Sequence, residues 1–149
     1  QLYMRFYQCD KDDLYEWART YYTNAWGEWM LVGGSGGWKE LTLDSAFAEY
    51  GTNTHPKYKI NGGMVNVTGA VKPVEAYTSG TTRVKFASGL PTAIRPEASL
   101  AFLCPGSGMN RWICGVETDG SLTICRYGIT EGVNVPTTAW LVFNITYAV

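Results

Sequence analysis

A chain of 149 residues is the size of one ordinary domain, and its 12 basic against 13 acidic residues, with no long run of either sign, leave no electrostatic footprint of a nucleic-acid binder or a polybasic membrane anchor. Its unbroken apolar runs, such as 139–143, are a handful of residues against the roughly 20 that a spanning helix needs, so no membrane insertion is expected. With 17 Gly, 10 Tyr, 6 Trp and 5 Phe among many Thr and Val, the composition points to an all-β chain with tight turns.

Leu2, Met4 and Phe6 alternate with Tyr3, Arg5 and Tyr7 before an acidic turn at Asp10 to Asp13. Two further strands follow, 14–22 and 26–32, separated by Thr23-Asn24-Ala25 as a three-residue hairpin loop. Residues 1–32 are rich in Tyr and Trp but poor in aliphatic side chains. A ribbon of two or three strands is marginal alone in water, so this segment reads as a β neck that packs on something else. "GGSGG", 33–37, reads as a flexible linker and a domain boundary.

Beyond it, strands are expected at 38–43, 57–60, 65–71, 83–86, 99–104, 112–116, 122–127 and 139–147, an antiparallel β-sandwich or jelly-roll-like head over 38–149. Between the first two, Leu43, Ala46, Phe47 and Tyr50 have helical spacing over about two turns at most, which predicts an irregular turn or short helix. "KYKINGGMVNVTGAVK" reads as a hairpin, with Asn61-Gly62-Gly63 as its turn. Asp119-Gly120 predicts a type I′ turn, a register that sets Cys114 opposite Cys125. In the last strand Leu141, Phe143, Ile145 and Tyr147 share the core face, and Trp140 and Val142 give the other face an apolar character suited to a second sheet or subunit.

No stretch reads as a catalytic centre. Cys9, Cys104, Cys114 and Cys125 form no CxxC pair and His55 is the single histidine, so neither a metal site nor a cofactor is expected. A hydrogen-bonded Cys114–Cys125 pair holds its side chains less close than the alternate kind of pair, which favours free, buried thiols. "TNTHPKY" carries no nucleophile signature, and Glu117 with Asp119 or Glu40 with Asp44 are carboxylate pairs chosen by proximity in sequence alone. "GGSGG" lacks the Lys-Ser/Thr of a phosphate loop. Aromatic residues near loops, Trp38 and Trp112, stand above this background. Their ordinary role in a β domain is core or cross-strand packing, and their other use is stacking on sugar rings.

In order along the chain, Trp38 and Leu41, Tyr50, Tyr58-Lys59 before Gly62 to Val65, Gly69, Leu90-Pro91 with Arg95-Pro96, Asp119-Gly120 and Trp140 resemble the C-terminal domains of bacteriophage tail fibres and receptor-binding proteins. "WARTYYTNAWGEWMLV" is similar to the Arg…Trp-x-x-Trp unit that often precedes them. The cysteines and "PGSGMNRW" depart from that pattern. The resemblance implies a homotrimer at a fibre or baseplate tip of the virion, made in the host cytoplasm and joined to upstream fibre or baseplate proteins. It implies non-enzymatic adhesion to a host cell-surface saccharide, with a purely structural module as the alternative, and it suits a chain beginning at Gln1 as part of a longer polypeptide. In such a domain variable loops meet the receptor. Asn53 and His55 in loop 51–56, with Asn110, Arg111 and Trp112 in loop 105–112, offer the amide, imidazole, guanidinium and aromatic groups that suit hydroxyls and ring faces.

Overall fold

The structure is a computed structural model that describes residues 2–10, 13–130 and 132–149. Among the described residues it is all-β apart from one 3-10 turn at Thr92–Ile94. The strands are β1 (Leu2–Asp10), β2 (Asp13–Tyr22), β3 (Ala25–Trp26), β4 (Met30–Ser35), β5 (Lys39–Glu40), β6 (Thr42–Leu43), β7 (Phe47–Glu49), β8 (Lys57–Asn61), β9 (Met64–Pro73), β10 (Tyr77–Thr78), β11 (Val84–Ser88), β12 (Leu100–Pro105), β13 (Arg111–Val116), β14 (Leu122–Cys125), β15 (Asn134–Val135) and β16 (Leu141–Ala148).

The first sheet runs β1-β2-β4-β8-β9-β16 with β3, β5 and β7 attached at its sides, and the second runs β12-β13-β14-β11-β6. Period-two alternation decides which side chains meet between them. Val65, Val67 and Val71 of β9 and Leu141, Phe143 and Ile145 of β16 are buried from one sheet, and Phe86, Trp112, Cys114 and Ile124 from the other. Phe143 lies 5.3 Å from Phe86 and 6.1 Å from Trp112 between ring centroids, so the two sheets share one core in a sandwich-like arrangement.

Turn chemistry sets the hairpins. Gly62 (φ 58°) and Gly63 (φ 79°) close Asn61 onto Met64, as read from the sequence. Thr23 (φ 49°) and Asn24 (φ 62°) form a loop of two residues rather than three, with both residues left-handed as a type I′ turn requires and Tyr22 opposite Ala25. Asp10 pairs with Asp13 as the first turn predicts, while Lys11 and Asp12 within it lie outside the described residues.

Of the irregular turn or short helix expected at 43–50, the turn is present and the helix is not: Asp44 Oδ1 accepts the Ala46 N–H at 3.1 Å, and the chain then enters β7 against β9. Two turns of helix are too short to sustain themselves where a sheet edge offers ladder bonds. Nor is 33–37 a loose linker, because Gly33 to Ser35 complete β4, pairing with β2, and Ser35 meets Asn61 of β8. Gly34, at φ +100°, lies so close to the Leu14 carbonyl that a Cβ would overlap it, so the glycine serves close backbone approach and not flexibility. The 119–120 hairpin has a three-residue loop, Thr118-Asp119-Gly120, closed by Glu117 N–H to Ser121 O at 2.9 Å. That shifts the register by one, so Cys114 pairs with Ile124 and Cys125 with Ile113, and the two cysteines take opposite faces. All four cysteines are free, Cys9 exposed and the others buried.

Candidate functional site: an aromatic-bordered sheet face

With Tyr58, Ile60, Val65, Val67, Leu141, Phe143, Ile145 and Tyr147 turned into the core, the residues between them line the outside of the first sheet. The register places them in rows across three strands: Lys59, Asn66 and Thr146, then Lys57, Thr68 and Asn144, then Ala70 beside Val142. Thr146 donates to Asn66 Oδ1 at 2.9 Å and Thr68 to the Phe143 carbonyl at 3.2 Å, which fixes the hydroxyls.

Exposed aromatics border this polar face. On the β8 side, Trp38 stands just before β5, its ring 4.9 Å from Lys59 Nζ and 5.3 Å from Lys57 Nζ, near enough for cation–π attraction. Beyond the Ala70–Val142 row, Trp140 and Tyr50 lie 6.5 Å apart, 39% and 42% exposed. The Trp140 backbone N–H donates to Ser107 Oγ at 2.7 Å, which ties this pair to the 105–110 loop. Half-open rings next to amides, hydroxyls and ammonium groups can stack on the apolar face of a sugar and bond its hydroxyls.

The five residues picked from sequence are divided by the fold. Asn53, at φ 62°, is exposed in the turn that follows Tyr50. His55 is already engaged, with Nδ1 2.9 Å from Glu49 Oε1 and Nε2 2.8 Å from the Leu41 carbonyl. Both partners are acceptors, so the ring satisfies both only as an imidazolium. Burial pushes its pKa down, but the Leu41 carbonyl and the Glu49 carboxylate outweigh that and raise it above the usual 6.5. Asn110 Nδ2 donates to the Ser107 carbonyl at 3.0 Å and to the Tyr127 hydroxyl at 3.2 Å, bracing the loop from inside.

Trp112 is a correction. It is fully buried against Phe86 and Phe143, its indole N–H donating to the Pro105 carbonyl at 2.9 Å, so neither ring face is open to a ligand. Arg111, the preceding residue, is exposed on the outside of the second sheet because successive side chains of a strand point to opposite faces. The two loops do approach one aromatic pair, through Ser107 on one side and the Tyr50 turn on the other. Of Trp38, Tyr50 and Trp140, the sequence sets Trp38 apart as an aromatic near a loop but places none of the three among the candidate ligand residues. For Trp140 the signal was present, since it falls on the non-core parity of the last strand.

Among the described residues, no three His, Cys, Asp or Glu side chains gather as a metal ion would require, and no helix is long and apolar enough to cross a membrane. Comparison with protein-family models, with curated proteins and with solved structures gives no match to this chain.

Proposed function

We propose that the chain is a non-enzymatic adhesin, the homotrimeric receptor-binding end of a bacteriophage tail fibre or baseplate protein, and that it binds a host cell-surface saccharide on the outer face of its first sheet. The observation that carries the binding reading is the exposed Tyr50–Trp140 pair beside a face of Asn, Thr and Lys side chains. The order of sequence features from Trp38 to Trp140 supports the phage assignment. The jelly-roll-like topology, the trimer and the upstream fibre or baseplate partners belong to the same reading.

Trimerisation draws support from the ribbon of β1, β2 and β4, where Leu2, Tyr3, Phe6, Tyr7, Leu14 and Met30 are all more than half exposed. So much apolar surface on a two-sided ribbon fits burial against copies of itself. The same surface favours the second reading, a structural module whose aromatic strands serve assembly alone.

The deciding experiment compares retention of the purified protein on host-wall polysaccharide for the wild type and for a Tyr50→Ala/Trp140→Ala variant. The adhesin reading expects wild-type retention that the variant loses with mass and melting unchanged. A wild-type protein that assembles and retains no polysaccharide would leave the structural reading in place.

A further inference from the structure

The outside of the second sheet treats its arginines in two ways. At one end, Arg83 Nη1 meets Glu117 Oε1 at 2.6 Å, and Glu117 also accepts from Ser99 and Thr123 at 2.6 Å each. Burial raises the Glu117 pKa, but these three donors outweigh it and hold the carboxyl below its usual value. That end is electrostatically complete. At the other end Arg111 and Arg126 both line a cavity of about 230 Å³, and among the described residues neither guanidinium has a carboxylate or hydrogen-bond partner.

The cavity is an open groove with an apolar base: half-buried Ile113 pairs with Leu103 across β12 and β13, and Leu103 and Ile129 stand exposed along its sides. The backbone holds Arg126 here at a cost, because it sits at φ 53°, a left-handed conformation that non-glycine residues seldom adopt and that persists only where the surroundings impose it. They do so with three bonds: Arg126 N–H to the Gly80 carbonyl at 2.8 Å, Tyr127 N–H to Ser79 Oγ at 3.0 Å, and Gly128 N–H to the Arg111 carbonyl at 2.8 Å. The last bond straps the turn carrying Arg126 over the strand carrying Arg111.

We infer that this cavity is a second binding site, specific for an oxyanion, phosphate or carboxylate, borne on a small carbon skeleton. Guanidinium forks match the planar or tetrahedral oxygens of such groups and form charge-assisted bonds to them. Leu103, Ile113 and Ile129 cover the carbons next to the anion. The site lies on the opposite sheet from the aromatic-bordered face and shares none of its residues, so the adhesion reading can fail without it and it can fail without the adhesion reading.

Methyl and arginine Nε NMR on the intact chain tests it, with butyl phosphate, glucuronate and butanol as probes. The expected result is saturable movement of the Ile113 and Ile129 methyl and Arg111 and Arg126 Nε resonances with butyl phosphate or glucuronate, at a Kd on the order of 1 mM, and none with butanol. The tighter of the two anions identifies the source, a phosphomonoester-bearing ligand or a uronic-acid saccharide. Arg126→Gly keeps the left-handed backbone available, so the fold survives while affinity falls about tenfold; Arg126→Lys falls between, since it retains charge but not the fork. An equal response to butanol, no response to either anion, or shifts that persist in a folded Arg111→Ala/Arg126→Gly protein would overturn the assignment.

Discussion

The ribbon and the sandwich are made of similar residues with opposite fates. Phe6 and Tyr7 of β1 are 53% and 56% exposed, whereas Phe86, Trp112 and Phe143 of the head are at most 1% exposed. Strand pairing alone accounts for the ribbon, in which β1 and β2 stay in register from Leu2 opposite Tyr21 to Asp10 opposite Asp13. Strand pairing satisfies a ribbon's backbone groups but leaves both its faces open; burial requires a second layer. In the head the facing sheet supplies that layer. The ribbon finds partial cover in itself, with the Arg19 guanidinium 4.6 Å from the Trp26 ring and 4.5 Å from the Trp29 ring, and in the head through Tyr15, which joins the common core. The lesson is that aromatic content does not make a core. A core needs a surface to close against.

Truncating the sandwich is expected to have the largest effect. Trp112→Ala removes the side chain at the centre of the Phe86–Phe143 cluster and is expected to cost about 3–5 kcal/mol, read as a shift in urea midpoint. Phe6→Ala in the ribbon, 53% exposed in the single chain, should leave the midpoint of the dissociated chain within about 0.5 kcal/mol. Equal losses from the two would erase the contrast between the regions.

Next comes the proposed self-association of the ribbon. A Leu2→Glu/Phe6→Glu protein is expected to lose association, because each exposed apolar side chain buried in an assembly is worth roughly 1.5–3 kcal/mol. Light scattering on the wild type should give three times the chain mass, and on the variant a single chain with the melting of the head retained. A wild type of single-chain mass at micromolar concentration would mean that the ribbon's apolar surface is not a self-interface.

The joint between the regions offers a third test. Gly34→Ala places a Cβ against the Leu14 backbone at a positive φ, a strain of about 1–3 kcal/mol. Hydrogen exchange at the Gly36 and Gly62 amides, which bond to Ile60 O at 3.0 Å and Gly34 O at 2.8 Å, should quicken while core amides of β9 stay protected. Unchanged exchange would show that the contact is not what holds the ribbon to the head.

The smallest effect is a dependence on pH. The folded pKa of His55 is raised, so its contribution is fully present below the unfolded value near 6.5 and is lost as pH rises through the folded value. Glu117 has the opposite sign: its folded pKa is lowered, so its contribution is present above about 4.5 and is lost as pH falls through the folded value. His55→Gln should remove the upper dependence, worth no more than about 1 kcal/mol, and leave the lower one intact. Stability profiles recorded on both proteins from acid to mildly basic pH check this.

Several of these elements were legible from residues alone. The alternation of Leu141, Phe143, Ile145 and Tyr147 marks a strand with one core face, because a period of two leaves each residue only two sides to choose from. Asn61-Gly62-Gly63 marks a turn because its backbone needs positive φ. Composition was enough for the all-β class. The glycines at 33–37 were not legible, since flexibility and close approach call for the same residue and only the position of Leu14 distinguishes them. The pairing of the cysteines depended on whether the 117–121 turn held two residues or three, and one residue moves every side chain to the other face.

The candidate site turned on the same physics. Sequence places Arg111 and Trp112 side by side, and as neighbours they looked like parts of one loop. Adjacent residues of a strand face opposite ways, so the pairing of β12 and β13 sent Trp112 into the core and Arg111 out to a cavity shared with Arg126. Trp38, Tyr50 and Trp140, far apart in sequence, border one sheet face because β5, β7 and β16 attach to the same sheet. Local chemistry, spanning a few residues, decides period and turn. Which side chains share a surface depends on contacts between strands tens of residues apart, and those are settled only when the sheets close.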